Sequence, residues 1–494
     1  MQADYDVIVV GGGGSGLAAA ASCSERGLRV LLLEKQPRLG GTTGIAIGSF
    51  TANRTKFQKR ASVDDTLDDH AEDAGKFPPG DIEARNNDPL RRYFLSHTAD
   101  TLDWLVGLGL NFHGPSPEPP NRVPRMHNVV PNAKAYIAAL QSHTLRHGGE
   151  IICDAVVREV LKEGDRVVGV DVMVAGESHR FTASRGVVLA AGDYANSPEI
   201  IARFKGDKFG DIEGINPNAS GDGHLIAEHA GAKLVNMDVT YGPELRFVPP
   251  PTNAGGFMQL LPSSGPLAKL MGFLLPIVPG FIVRQMIKRL LVTWQHPENA
   301  LFDDGAILIN SRGERFCDES VWPDREIAVA GQDGKIAYIL LDKRLVRRYN
   351  AWPHFISTAP KIAYAYVDDY IRLRPDLTTE SPSLDGLAGQ SNIPADTLSA
   401  TVESYNEDAA ANGKPKLEAG RWVLLGPVKG YFTTTEGGAA INESFEVLDV
   451  DGNVIDGLYA IGQNGLGGQV LWGHGLHIGW AMTSGRLIGI ELSG

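Results

Sequence analysis

Residues 4–35 read DYDVIVVGGGGSGLAAAASCSERGLRVLLLEK. Val7, Ile8, Val9 and Val10 form a short β-branched run, the pattern of a parallel strand buried on both faces. Gly11, Gly13 and Gly16 follow as G-x-G-x-x-G, with Gly14 and Ser15 in the same turn. A run of small residues over 17–23 then suits a helix packed closely on a sheet. Residues 29–33 form the next apolar run, which ends at Glu34 and Lys35. The spacing has a physical reading. The first glycine permits a tight turn, the second lets the backbone approach a pyrophosphate, and the third lets helix and strand pack. The phosphate charge then sits at a helix N-terminus. Glu34, about twenty residues beyond the glycines, is placed to accept hydrogen bonds from a ribose. A lone G-x-G-x-x-G is a weak signal; strand, turn, helix, strand and acid in register are a strong one.

The rest of the chain narrows the class. Its 494 residues can bury more than one core, and 43% hydrophobic with 21% charged residues is ordinary for a globular protein. A formal charge of −13 without any basic run argues against nucleic-acid binding. The three cysteines, Cys23, Cys153 and Cys317, are far apart and form no CxxC pair, which excludes a disulfide framework and points to a reducing, cytoplasmic setting. No secretory signal is visible, and no apolar run of about 20 residues occurs.

FAD and NAD share the opening fingerprint. Residues 36–50, QPRLGGTTGIAIGSF, separate them: Gly40, Gly41, Thr42, Thr43 and Gly44 make a second loop rich in exposed backbone and small donors. A longer cofactor crossing the sheet edge needs such a loop, whereas an NAD domain has no evident use for it.

Further segments carry a resemblance that runs almost end to end. Residues 156–172 (VVREVLKEGDRVVGVDV), 185–199 (RGVVLAAGDYANSPE), 218–234 (NASGDGHLIAEHAGAKL), 306–320 (AILINSRGERFCDES), 393–409 (IPADTLSATVESYNEDA) and 455–464 (IDGLYAIGQN) stand in this order. In order and spacing they resemble the flavoprotein superfamily of fumarate reductase, succinate dehydrogenase and the 3-ketosteroid dehydrogenases. The resemblance implies an α/β, Rossmann-type FAD-binding domain with an inserted α+β cap. The FAD-binding parts would be 1–236 and 427–494, and the substrate-covering cap 237–426. It adds Val156, Ala191, Gly192, Asp222 and Gly462 to the FAD-binding residues. No histidine stands beside residues 40–43, where related enzymes attach the flavin, so the FAD is expected to be non-covalent.

It also gives a role to residues 473–487, GHGLHIGWAMTSGRL. In that superfamily the last glycine-rich turn and helix approach the flavin ring, so Gly475, Leu476, His477 and Ile478 would present backbone N–H groups to it. Negative charge developing on the ring is stabilised at a helix N-terminus. A metal reading for His474 and His477 lacks an accompanying Cys, Asp or Glu cluster.

The fold does not decide the reaction. Against the fumarate reductase pattern, the charged positions are missing. The carboxylate-binding Arg falls on Trp472, the His on Thr433, and the proton-relaying Glu and Arg on Asn299 and Phe302. A dicarboxylate needs cations, so a neutral, hydrophobic substrate is expected. The 3-ketosteroid dehydrogenase branch is closer, but its Tyr positions fall on Leu471 and near residues 323–325. Candidate catalytic groups are Arg325, Tyr241, Tyr431, His474 and the Gly475 N–H. The expected reaction is α,β-desaturation of a cyclic or steroid-like ketone. The alternatives are an ene-reductase, with Arg325 as proton donor, and a non-catalytic flavin-binding redox protein. The electron partner is not legible. The proline-rich stretches 113–124 (HGPSPEPPNRVP) and 248–256 (VPPPTNAGG) read as loops. The apolar stretch 270–283, with basic residues beyond it to 291, suggests peripheral membrane contact or a subunit interface.

Overall fold

The structure, a computed structural model, describes residues 3–250, 285, 288–289, 291–293, 295–359 and 363–494. The apolar stretch 270–283 lies outside them. Among the described residues no helix is long and apolar enough to cross a membrane.

The opening segment folds as its pattern requires. β1 (Tyr5–Val10) is followed by α1 (Gly14–Ser24) and β2 (Val30–Leu33). β1 pairs in parallel with β2 on one side and with the end of strand Glu177–Leu189 on the other. Strands Val454–Ala460 and Glu150–Ile152 extend this parallel sheet. The strand pair Ala155–Glu163 and Arg166–Val174 continues antiparallel from Glu177–Leu189. Every residue of α1 is buried, because the last helix, Leu476–Glu491, lies against it. Small residues make that approach possible: a Cβ on Gly485 would meet Ser15 O and Ala18 Cβ at 2.6 Å. Chain start and chain end thus share one core.

A second apolar core lies around a mostly antiparallel sheet. Its central strand, Trp422–Phe432, pairs with Ala337–Leu341, Thr378–Ser381 and Glu244–Phe247. The strand runs through the expected boundary at 426/427. Beyond it, Thr434–Thr435 pairs with Thr240–Tyr241. This crossing brings residues of the cap sheet beside the final turn of the first core.

Candidate active site

The glycine turn is built for close approach. Gly11 has φ +110°, and a Cβ on Gly16 would stand 1.8 Å from Gly11 O. Opposite it, the expected second loop folds as a short helix, α2 (Gly41–Ile45), whose first-turn N–H groups have no partner within the helix. The two turns face each other, with a Cβ on Gly41 falling 3.2 Å from Gly13 Cα. Space is left open between them: a Cβ on Gly13 meets nothing nearer than 4.0 Å, and one on Gly192 meets nothing within that range. Glu34 closes one end, its carboxylate accepting from Gly12 N (2.6 Å) and Gln36 N (2.8 Å). Lys35 donates to Asp222 Oδ2 at 2.8 Å and also to Ser220 Oγ. Asn464 ties the Ala191–Gly192 turn, accepting from Ala191 N (2.6 Å) and donating to Gly192 O (3.0 Å). These residues fit a dinucleotide. Residues 13–16 and 41–43 would hold its phosphates, Glu34 its ribose, and Gly192, Gly462 and the turn at 475–478 its ring system.

At the ring end, Gly475 caps the last helix with φ +80°, and its N–H makes no hydrogen bond among the described residues. Sequence reasoning assigned His477 to this turn by its backbone. Its side chain proves equally constrained. Gln463 donates through Nε2 to Thr435 O (2.7 Å) and Thr434 Oγ1 (2.7 Å), so its Oε1 is the acceptor for His477 Nδ1 at 3.0 Å. His477 Nε2 lies 2.9 Å from Glu436, a fully buried carboxylate whose other oxygen accepts from Leu471 N. His477 is thus held at both ring nitrogens, by Gln463 and by Glu436.

The substrate side gathers Tyr241, Trp472 and His474. The rings of Tyr241 and Trp472 are 5.2 Å apart. Burial, reinforced by Glu244, pushes the Tyr241 phenol well above its ordinary pKa, so it stays protonated. The His474 side chain is 66% exposed. Its Nδ1 donates to Glu118 at 2.5 Å, and this bond raises its pKa. Glu244 accepts from Arg246 (2.6 Å) and Thr433 (3.2 Å). Burial raises the Glu244 carboxyl, but Arg246 and His296 outweigh it and the net shift is downward.

Two candidates stand apart. Tyr431, in the central cap strand between Glu213 and Glu244 of the two neighbouring strands, has its phenol pushed up to about 12 by burial and by Glu213. Arg325 is engaged by Glu326 (2.6 Å), Asn299 (3.1 Å) and Glu319 O (3.1 Å), and its guanidinium lies 4.8 Å over the Phe302 ring. Asn299 and Phe302, which stand where the resembled pattern has its relay residues, thus hold Arg325 in place. Sequence reasoning missed Glu118, Glu436, Glu244 and His296. The one available signal was Glu118, the single acid of a proline-rich stretch.

A family model described as an FAD binding domain matches residues 6–470, and the chain belongs to that family. It is an FAD-dependent oxidoreductase. It is 28% identical to a fumarate reductase (cytochrome) of Shewanella frigidimarina, over 98% of this chain and 76% of the relative. The fold matches the open conformation of a flavocytochrome c3 fumarate reductase (TM-score 0.73, 24% identity, 99% of this chain and 78% of that one). It also matches a 3-ketosteroid Δ1-dehydrogenase of Sterolibacterium denitrificans (TM-score 0.65, 18% identity, 99% of each chain).

Proposed function

We infer that the protein transfers hydride between its flavin and the CH–CH bond next to the carbonyl of a neutral, hydrophobic compound. One observation carries this reading. Among the described residues, the cations beside Tyr241 and Trp472 each have a carboxylate: Arg246 with Glu244 and His474 with Glu118. A dicarboxylate would enter a site already neutral, and burying its charges there is unfavourable. The Tyr241–Trp472 wall offers apolar surface instead.

Bound FAD supplies the hydride acceptor or donor. The residues do the rest. The protonated Tyr241 hydroxyl and the Gly475 N–H donate to the carbonyl oxygen, which acidifies the adjacent carbon. His474 exchanges the proton at that carbon. Trp472 and Tyr241 exclude water from it.

Desaturation of a cyclic or steroid-like ketone is the direction we favour, on the resemblance of the final turn. The opposite direction, reduction of an enone, has its own support: Glu118 raises the pKa of His474, which favours a proton donor there, and the sequence relative is a reductase. Anaerobic mixing separates them. A saturated cyclic ketone should bleach the oxidised flavin; if it does not, and an enone reoxidises the dithionite-reduced protein, the chain is an ene-reductase. Fumarate as the better oxidant would overturn both.

A further inference from the structure

The proline-rich stretch 113–124, expected to be a loop, begins as the end of strand Asn111–Ser116, paired with Met126–Val130, and continues as an anchored loop that carries Glu118. Arg125, fully buried, bonds Asp65 at 2.6 Å and Asp73 at 2.6 Å. The Arg122 N–H donates to Asp73 at 2.9 Å and its Nε at 3.0 Å, with Glu72 a further partner at 2.7 Å. Asn121 accepts from Arg125 Nη1 at 2.9 Å, and its N–H donates to Glu118 O at 2.9 Å. The loop is thereby clamped to helix Leu67–Ala74, and Glu118 is carried at its tip.

Glu118 Oε1 accepts twice from one residue, from the His474 N–H at 3.0 Å and from His474 Nδ1 at 2.5 Å. Thr51 grips the same turn from the other side, its hydroxyl donating to His474 O (2.7 Å) and its N–H to Gly475 O (3.2 Å). Glu118 is only 11% exposed, in a small cavity that it shares with Thr51, His70, Phe77 and Leu476. With Nδ1 engaged, the imidazole is left with Nε2, which has no hydrogen-bond partner among the described residues, while the side chain remains exposed.

We propose that Glu118 is a positioning residue for the reaction: it fixes the orientation and tautomer of His474, so that proton exchange with substrate runs through Nε2. This rests on the assignment of His474 as the proton-exchanging group. The carboxylate stays ionised throughout, and the proton moves only between Nε2 and the substrate carbon. Other charged groups facing His474 are Glu244 and Arg246, which oppose each other, and His296. The shortest and strongest of these interactions is with Glu118.

The test uses FAD-loaded protein with histidine labelled at Cε1, the His474 resonance being identified by its loss in His474→Asn. In Glu118→Gln the apparent acid dissociation constant of His474 should rise about tenfold or more, with flavin absorbance unchanged. Glu118→Asp should restore much of the difference. The pH profile of turnover should move by the same amount in the same direction. An unmoved His474 titration in Glu118→Gln would overturn the proposal whatever the substrate is. A moved titration with His474→Asn turning over at the wild-type rate would instead overturn the catalytic assignment of His474, and the role of Glu118 with it, leaving only a structural pair.

Discussion

Tyr241 and Tyr431 illustrate how two like residues acquire different chemistry. Both phenols have raised pKa, but Tyr241 packs its ring at a tilt against Trp472 and senses Glu244, whereas Tyr431 senses Glu213 on a neighbouring strand. Replacing Tyr241 by Phe should slow flavin reduction by about 10²-fold, the scale for one acid–base or oxyanion donor. Tyr431→Phe should stay within a few-fold, and rapid-mixing absorbance distinguishes the two. The residue scale also governs substrate charge. Thr433 donates to Glu244 and Asn299 accepts from Arg325, so neither leaves a cation for a carboxylate. Millimolar fumarate or succinate should neither perturb the flavin spectrum nor change its rate of reduction or reoxidation; a titration checks this directly.

Among elements, the loop anchored on helix Leu67–Ala74 depends on a buried charge cluster. Arg125 and its two aspartates are all excluded from water, with Gln58 donating to Asp65 and to Pro124 O as an additional tie. Replacing Arg125 by Met would leave buried Asp65 without a cation, while Asp73 keeps Arg122 and Lys76, and such a loss costs about 3–5 kcal/mol. Denaturant unfolding should show it. The same variant should also free the tip of the loop, so the His474 titration should move as in Glu118→Gln. α1 and the last helix make a different kind of contact, with no charge and little side-chain volume, where Ser22 Oγ donates to Arg486 O at 2.7 Å.

For the molecule as a whole, acid is the revealing variable. His127 and His224 are fully buried, and burial pushes each pKa down to about 4. Asn464 shows why for His224. Its Oδ1 is taken by Ala191 N, so its Nδ2 donates to His224 Nδ1, while Nε2–H donates to Gly437 O. The ring is neutral with both nitrogens committed. An unfolded imidazole takes up its proton near pH 6.5, so below that pH the unfolded chain binds protons that the folded chain refuses. Stability should therefore fall as pH drops from 6.5 to about 4 and lose about 3 kcal/mol per histidine over that window. Thermal midpoints against pH should show the slope. Release of FAD fluorescence should accompany it, because the His224 network holds the Ala191–Gly192 turn.

The FAD-binding half was legible because its determinants are local. A buried parallel strand, a turn that only glycine can adopt and a helix of small residues are each written in adjacent positions, and their order fixes the cofactor. The expected loss of dicarboxylate-binding charge rests on residue identities at aligned positions, and its consequence for the substrate belongs to the proposal. The acid–base apparatus we propose was not legible. Glu118 and His474 are hundreds of positions apart, and so are Tyr241 and Trp472. Their pairing follows from a loop clamped on one helix and from a strand that crosses between two cores. Whether a charge is free or neutralised depends on which carboxylate the packing brings within hydrogen-bond reach, and only the tertiary structure decided that.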